Sequence, residues 1–163
     1  MFIVATVDQN WAIGKNGQPL YNIPVDQVYF REIVLGHTVV YGHNSIAFPG
    51  YNRPIDGCRN LILSRDVSLS YPGATVIHDF AELDKYPSCD IYIAGGESIY
   101  WQLYEHCEYA ILTQVETVVL DSDAFFPRLA DLPNWKKLIE GPIHRYQGLP
   151  YHFVTYANTA FKT

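Results

Sequence analysis

The sequence predicts a single α/β domain over residues 1–163. It is built on a mixed, mostly parallel sheet of about eight strands with about four flanking helices. Three observations predict it. Short bursts rich in Val, Ile and Tyr recur at strand length, with Gly, Pro, Asn or Asp in most of the gaps. Helical spacing separates these bursts over the first two-thirds of the chain. From Tyr109 onward strands follow one another without helices. Alternation of strand and helix implies parallel crossovers, whereas successive strands return antiparallel.

The elements can be justified in order. Residues 2–7 form a nearly continuous apolar run, suited to a central strand buried on both faces. Residues 25–34 carry helical spacing that puts Val25, Val28, Tyr29 and Ile33 near one face, and Pro24 suits a first helical turn. Strand-like runs follow at 38–41, 60–63 and 74–77. Residues 44–48 are at most a short helix, and 80–83 are another. The run at 90–94 is again almost wholly apolar. Residues 97–104 follow Gly95-Gly96 and bring Ile99, Tyr100 and Leu103 together. Strands at 109–115, 135–139 and 152–156 complete the sheet.

Composition narrows the function. Apolar residues are 48% and charged residues 17%, which excludes a disordered or collagen-like chain. The balance of 11 basic and 17 acidic residues gives −6, a field that disfavours nucleic acid or an anionic membrane as partner. A small anionic ligand remains compatible, because a pocket can be locally positive. No run reaches the ~20 apolar residues of a membrane helix. The opening MFIVATVDQNW has no basic segment, so no signal peptide is expected. Cys58, Cys89 and Cys107 are odd in number and unrelated in spacing, which predicts neither disulfides nor a zinc knuckle. The expectation is a cytoplasmic monomer acting on a small molecule, with no metal.

H-E-x-x-H, C-x-x-C, G-x-S-x-G, the Walker loop and G-x-G-x-x-G are all missing. Four segments carry positive signals. Asp26 falls in the first turn of the 25–34 helix. There it suits the helix dipole, and equally it could stand at the edge of an apolar pocket and accept two hydrogen bonds from an amidine-like ligand edge. Ile91-Tyr92-Ile93-Ala94-Gly95-Gly96-Glu97-Ser98 is an apolar strand, two glycines and a helix start. Such a junction binds phosphate, and tight packing explains it as well. Val39-Val40-Tyr41-Gly42-His43-Asn44-Ser45 repeats the pattern, and Leu61-Ile62-Leu63-Ser64-Arg65 ends a strand in a hydroxyl and a guanidinium. Together they suit a cofactor lying across the carboxyl ends of the strands.

In order and spacing these segments resemble the dihydrofolate reductase family. Trp11-Ala12-Ile13-Gly14 with Asn16-Gly17 resembles its loop over the active site. Arg53-Pro54 before Gly57 resembles the turn ahead of the third strand. Thr113 and Asp123-Ala124-Phe125-Phe126-Pro127 match further motifs. The resemblance is strong to about Pro127 and continues more weakly to Phe161, through a closing antiparallel hairpin.

The resemblance implies NADPH as cofactor and 7,8-dihydrofolate as substrate, with hydride passing to C6 and a proton from water to N5. Asp26 would hold the N3 and 2-amino edge of the pterin, with Thr113 as its orienter and Tyr21 beside them. Val4 and Ala94 would offer carbonyl oxygens to the ring's other edge. Phe30 would pack on the pterin and Phe48 on the aryl ring, with Ile55 on the same wall; Ala5, Gln27, Arg53 and Tyr100 complete the substrate side. The cofactor would be held by Thr6, Ile13 and Gly14, by Gly42, His43, Asn44 and Ser45, and by Leu63, Ser64, Arg65 and His78. Gly95, Gly96, Glu97, Ser98 and Ile99 would close its cradle, with a cis peptide between the two glycines.

The chain also departs from the family. Tyr21 stands where the family has tryptophan, His43 where it has arginine, and Ile46 where it has an aromatic residue. Cys58 replaces the arginine that pairs with the folate α-carboxylate, which removes a two-pronged ionic contact. Two alternatives therefore stay open. One is a reductase of the same fold for another pterin or a pyrimidine without the glutamate tail. The other is a non-catalytic nucleotide- or pterin-binding protein. His37, His106, His144 and His152 receive no role.

Overall fold

The computed structural model describes residues 1–47 and 53–161. In chain order the strands are β1 Phe2–Val7, β2 Ala12–Lys15, β3 Gln18–Pro19, β4 Thr38–Gly42, β5 Arg59–Leu63, β6 Thr75–Ile77 and β7 Ile91–Ile93. They continue as β8 Tyr109–Val115, β9 Ala124–Phe125, β10 Trp135–Glu140, β11 His144–Tyr146 and β12 Leu149–Asn158. Helices α1 Pro24–Val34 and α2 Glu97–Leu103 are α-helical. The short helical stretches at His43–Ala47 and Phe80–Lys85 take the tighter 3-10 form, which suits single turns.

The main sheet runs β10-β12-β8-β1-β7-β4-β5-β6, with β11 added against β12. Strand β1 pairs parallel with both β7 and β8, and β4, β5 and β6 continue in parallel. The C-terminal strand β12 returns antiparallel between β8 and β10. Successive residues of β1 face opposite layers. Ile3, Ala5 and Val7 join Val40, Leu61, Leu112 and the α2 residues Ile99 and Leu103 in one core. Val4 faces the other core with Val39, Tyr41, Ile62, Ala94 and Val34 of α1.

Helix α1 differs from the sequence reading. Val25 and Val28 are each 55% exposed, while Asp26 and Val34 are buried. The inward stripe is Asp26, Phe30, Ile33 and Val34, which has the i, i+4, i+7, i+8 spacing of a core-facing helix. Its first position is a carboxylate, so a count of apolar residues alone selects the wrong face. The residue before the helix, Ile23, makes no side-chain cap, and Pro24 supplies a first turn with no N–H to satisfy.

A second, three-stranded sheet, β3-β2-β9, forms where the sequence suggests an irregular loop. Its anchor is Asp8, fully buried, whose carboxylate accepts from the backbone N–H groups of Asn10 (2.8 Å), Ala12 (2.9 Å) and Val119 (3.0 Å). These bonds tie the turn after β1 to the segment after β8. His152, to which the sequence gave no role, is buried with Nδ1 2.9 Å from Glu116 and Nε2 3.2 Å from Glu140.

Asn60 organises the turn before β5. Its amide nitrogen donates to the carbonyls of Ile55 (2.9 Å) and Cys58 (3.1 Å), and its oxygen accepts from Ile55 N (2.8 Å) and Tyr41 Oη (3.1 Å). Asn60→Ala should strand several buried polar groups and cost about 2–4 kcal/mol. Urea unfolding checks this; a loss below 1 kcal/mol, on the order of one ordinary hydrogen bond, would show that the turn holds without it.

Candidate active site

The carboxyl ends of β1, β7 and β8 open into a cleft bounded by α1 and by β2 and β3. Strand β1 meets β8 in a register that pairs Thr6 with Thr113. Paired residues of parallel strands point to the same face, so both hydroxyls reach the same space. Asp26 enters it from the first turn of α1. Thr113 Oγ1 donates to Asp26 Oδ1, and Thr6 Oγ1 donates to Oδ2 at 2.6 Å. The carboxylate is only 8% exposed. Burial pushes its pKa above the usual value, and the Thr113 and Thr6 hydroxyls pull against that shift. Thr6, which the family resemblance puts with the cofactor, has its hydroxyl on the carboxylate.

The rest of the cleft is mostly apolar. Gln27 and Phe30 of α1 line it together with Val4, Ala5 and Ala94. Ile13 and Gly14 of β2 cover it, along with Leu20 and Tyr21 from the segment leading into α1. The Tyr21 hydroxyl is sealed from solvent and has no hydrogen-bond partner among the described residues. Burial, helped by the charge of Asp8, pushes its pKa up to about 12, so it remains a donor. The two strand-end carbonyls expected to face a ligand already have partners. Val4 O accepts from Tyr100 Oη at 2.8 Å, and Ala94 O from Arg53 Nη2 at 3.4 Å. A carbonyl oxygen has two lone pairs, so each can accept once more. Ile55 is buried behind the wall, beside Val4, Phe30 and Ala94. Phe48 lies outside the described residues.

The ends of β4 and β7 meet beside the cleft, where the sequence places the cofactor. Gly42 N donates to Gly95 O at 2.8 Å, which clamps the ends of β4 and β7 together. A Cβ on Gly42 would meet Ile99 Cγ1 at 3.3 Å. The Gly95-Gly96 peptide is cis, and Gly95 has φ +93°, with the Tyr100 ring 3.1 Å from where its Cβ would stand. Ser45 is buried beside Gly96. The Glu97 carboxylate accepts from Phe125 N at 2.8 Å, turning away from the helix start, and Ser98 bonds Gln102.

Farther along, His43, Asn44 and Arg65 are exposed, Leu63 ends β5 and Ser64 follows it. His78 Nδ1 lies 2.8 Å from Ser64 O. Hydrogen bonds from Ser68 hold the Asp66 carboxyl below its usual pKa, and His43 and His78 add smaller contributions in the same direction. An anion placed at this corner therefore has two imidazoles nearby.

At the opposite end, the Cys58 thiol donates to Val34 O at 3.1 Å. Arg59 projects from the other face of β5, its guanidinium 5.3 Å from the centre of the Tyr86 ring. Neither side chain lines the cleft. Gly17, expected in the loop over the site, lines it, and so do Gln18, Pro19 and Ala124, which were not among the expected site residues and which the pairing of β2 with β3 and β9 brings there. Among the described residues no helix is long and apolar enough to cross a membrane, and no cluster of side chains could hold a metal ion.

Comparison with known proteins agrees with this architecture. A sequence profile described as dihydrofolate reductase matches residues 1–158. The dihydrofolate reductase of Staphylococcus aureus (strain N315) is 25% identical over 154 residues, covering 93% of this chain and 94% of its own. That of Bacillus subtilis (strain 168) is 27% identical over 138 residues, 83% and 79% of the two chains. That of Mycobacterium tuberculosis (strain H37Rv) is 32% identical over 105 residues, 64% of each. Among solved structures, dihydrofolate reductase from Enterococcus faecalis, complexed with NADP(H) and RAB-propyl, shares the fold. Its TM-score is 0.81 at 23% identity, over 96% of this chain and 95% of that one.

The raised pKa of Asp26 has a stability consequence. The folded state prefers the protonated carboxyl, a contribution complete below the unfolded value of about 3.9 and lost as pH rises through the folded value. At neutral pH the buried charge is a net cost. Asp26→Asn should therefore raise Tm at pH 8, by about 2–4 °C for each kcal/mol of relief. The gain should shrink as pH falls through the folded value and be gone below about 4. A melting series from pH 3 to 8 tests this, and a lower Tm for the variant at pH 8 would refute it.

Proposed function

Because the chain belongs to the dihydrofolate reductase family, we propose that it reduces 7,8-dihydrofolate to 5,6,7,8-tetrahydrofolate by hydride transfer to C6 of the pterin. The family makes it an NADPH-dependent oxidoreductase. The observation that carries the finer reading is Asp26, a buried carboxylate whose two oxygens are each oriented by a threonine hydroxyl in an otherwise apolar cleft. Such a group matches a planar N–C–N edge, accepting two parallel hydrogen bonds. It orients and polarises the ring and need not deliver the proton itself. The proton reaching N5 comes from water, and the Tyr21 hydroxyl can position that water or the ring oxygen. Fixing the reactants in one geometry is the largest contribution expected of such a site.

When bound, NADPH supplies the hydride. The residues present fit it: Gly14, Ser45, Gly95 and Gly96 line the cleft beside the ends of β4 and β7, and the close approach of Gly42 to Gly95 there is one that a Cβ at either would disturb. Gly96 and Ser45 line the same cradle, and Ser64, Arg65, His43 and His78 form the corner suited to a 2′-phosphate. A second reading has one specific observation in its favour. The Cys58 thiol faces Val34 O and Arg59 faces Tyr86, so no two-pronged clamp awaits a glutamate α-carboxylate at that turn. A pterin or pyrimidine without the tail is the substrate on that reading. The proposed setting is a monomer working in a reducing compartment.

NADPH oxidation followed at 340 nm, with dihydrofolate and with a tail-less dihydropterin, tests the activity. Asp26→Asn should lower kcat/KM at pH 7 by at least about 100-fold with NADPH binding retained. A variant with undiminished turnover would remove Asp26 from the mechanism. Thr6→Val should withdraw one of the two hydrogen bonds that favour the ionised carboxylate. The acidic limb of the kcat/KM profile should then move to higher pH, by on the order of one unit or less. A limb at the wild-type position would show that Thr6 does not act through Asp26.

A further inference from the structure

Helix α2 holds the covering sheet by both backbone groups of one residue, Phe125. The Glu97 carboxylate accepts from Phe125 N at 2.8 Å, and the Trp101 indole Nε1 donates to Phe125 O at 3.0 Å. Glu97 and Trp101 are one helical turn apart, so they project from the same face of α2. The Trp101 ring is half exposed and stands nearly perpendicular to that of Tyr104, with centroids 6.0 Å apart.

This grip falls on a short edge strand. β9 has two residues and lies at the border of the β3-β2-β9 sheet. An edge strand leaves one row of N–H and C=O groups unpaired. On its inner side the β9 segment meets β2, where Asp123 N donates to Gly14 O at 3.2 Å and Phe126 N to Trp11 O at 2.7 Å. At Phe125 the two side chains of α2 take the place of a further strand. The clasp also joins the two sides of the cleft. Glu97 follows the Gly95-Gly96 peptide and lines the cleft, while Ile13 and Gly14 of β2 and Ala124 of β9 line it from the cover. The strands of the cover are two to four residues long, and segments with so few pairings open locally at small cost. Its position therefore depends on tethers outside the sheet: Asp8 at the turn before β2, and α2 at β9.

We propose that Glu97 and Trp101 are positioning residues: together they clasp Phe125, and through it α2 holds the β3-β2-β9 sheet closed over bound cofactor and slows its exchange. The inference rests on the NADPH-dependent reading of the cleft. Glu97 lines the cleft and Trp101 does not. A clasp makes both residues matter, whereas direct contact with the cofactor would involve Glu97 alone.

Stopped-flow release of NADPH, and residue-resolved amide hydrogen exchange at Asp123 and Phe126 in the NADPH-bound protein, test it. Those two amides bond to β2, so they report opening of the sheet and not the loss of the altered bond itself. Trp101→Phe keeps an aromatic ring and removes the N–H donor. It should speed NADPH release at least about threefold, and both amide exchanges by a similar factor. Glu97→Ala should act in the same direction. The double variant should fall short of the product of the single effects, since either loss opens the clasp. Glu97→Gln, whose amide oxygen still accepts from Phe125 N, should keep both amides slower than Glu97→Ala does. NADPH release unchanged in Trp101→Phe, single effects that multiply in full, or a Glu97→Gln variant that exchanges as fast as Glu97→Ala overturns the clasp. If Glu97→Ala does not fold, Trp101→Phe decides alone. Should the wild-type protein bind NADPH and Trp101→Phe release it no faster, only the clasp falls. Should the wild-type protein not bind NADPH, the cofactor reading falls with it.

Discussion

Thr6 and Thr113 face one another across the parallel pairing of β1 and β8, and the Asp26 carboxylate sits between their hydroxyls. A slip of one residue in that register would turn one hydroxyl to the opposite face of the sheet and leave a buried carboxylate oxygen without a donor. Register is therefore not a detail of the sheet but a condition of the site. Strand β1 is held on its other side by β7, and β8 by the long antiparallel β12, so neither member of the pair lies at an edge. The closing C-terminal strands contribute no residue to the cleft. Their part is to keep β8 in place.

The same strand ends build the neighbouring cradle. Because β1, β4 and β7 run parallel, their carboxyl ends open at one side of the sheet, where β4 and β7 lead into the His43–Ala47 turn and helix α2. The clamp between Gly42 and Gly95 requires the backbones to approach closely, which side chains would prevent. The small sheet then covers the cleft. Its hold comes from the buried Asp8, which ties the turn after β1 to the segment after β8, and from Glu97, which ties the start of α2 to β9. The Asp8 carboxylate is buried and the Glu97 carboxylate exposed, and each is given a fixed direction by the backbone N–H groups it accepts from.

The polarity of the cleft follows from what its walls use internally. Tyr100 and Arg53 engage the carbonyls at the ends of β1 and β7, which leaves Asp26 as the strong acceptor and adds donors elsewhere. Tyr21 contributes a neutral hydroxyl. A ligand that fits must match this distribution as well as the shape, because a buried polar group left unpaired costs more than an apolar contact gains.

The strands were legible in the sequence because Val, Ile and Tyr cluster at strand length and Gly, Pro, Asn and Asp separate them. The alternation with helices predicted parallel order. Asp26 and the Gly95-Gly96 junction were legible as motifs, defined by residue type at the start of a helix, and Thr113 only through the family resemblance. Other features had no local signal. The inward face of α1 begins with a carboxylate, so hydrophobic periodicity pointed to Val25 and Val28, which are exposed. The β2, β3 and β9 strands are only two to four residues long and exist because Asp8 and the pairing partners hold them. The partnership of Thr6 with Asp26 spans 20 residues, that of Thr113 with Asp26 spans 87, and Arg53 meets Ala94 across 41. Composition and spacing determined which elements form and roughly where the chemistry lies. That the Thr6 hydroxyl also serves the carboxylate was decided only by packing, because that contact depends on strand register and chain path and not on neighbouring residues.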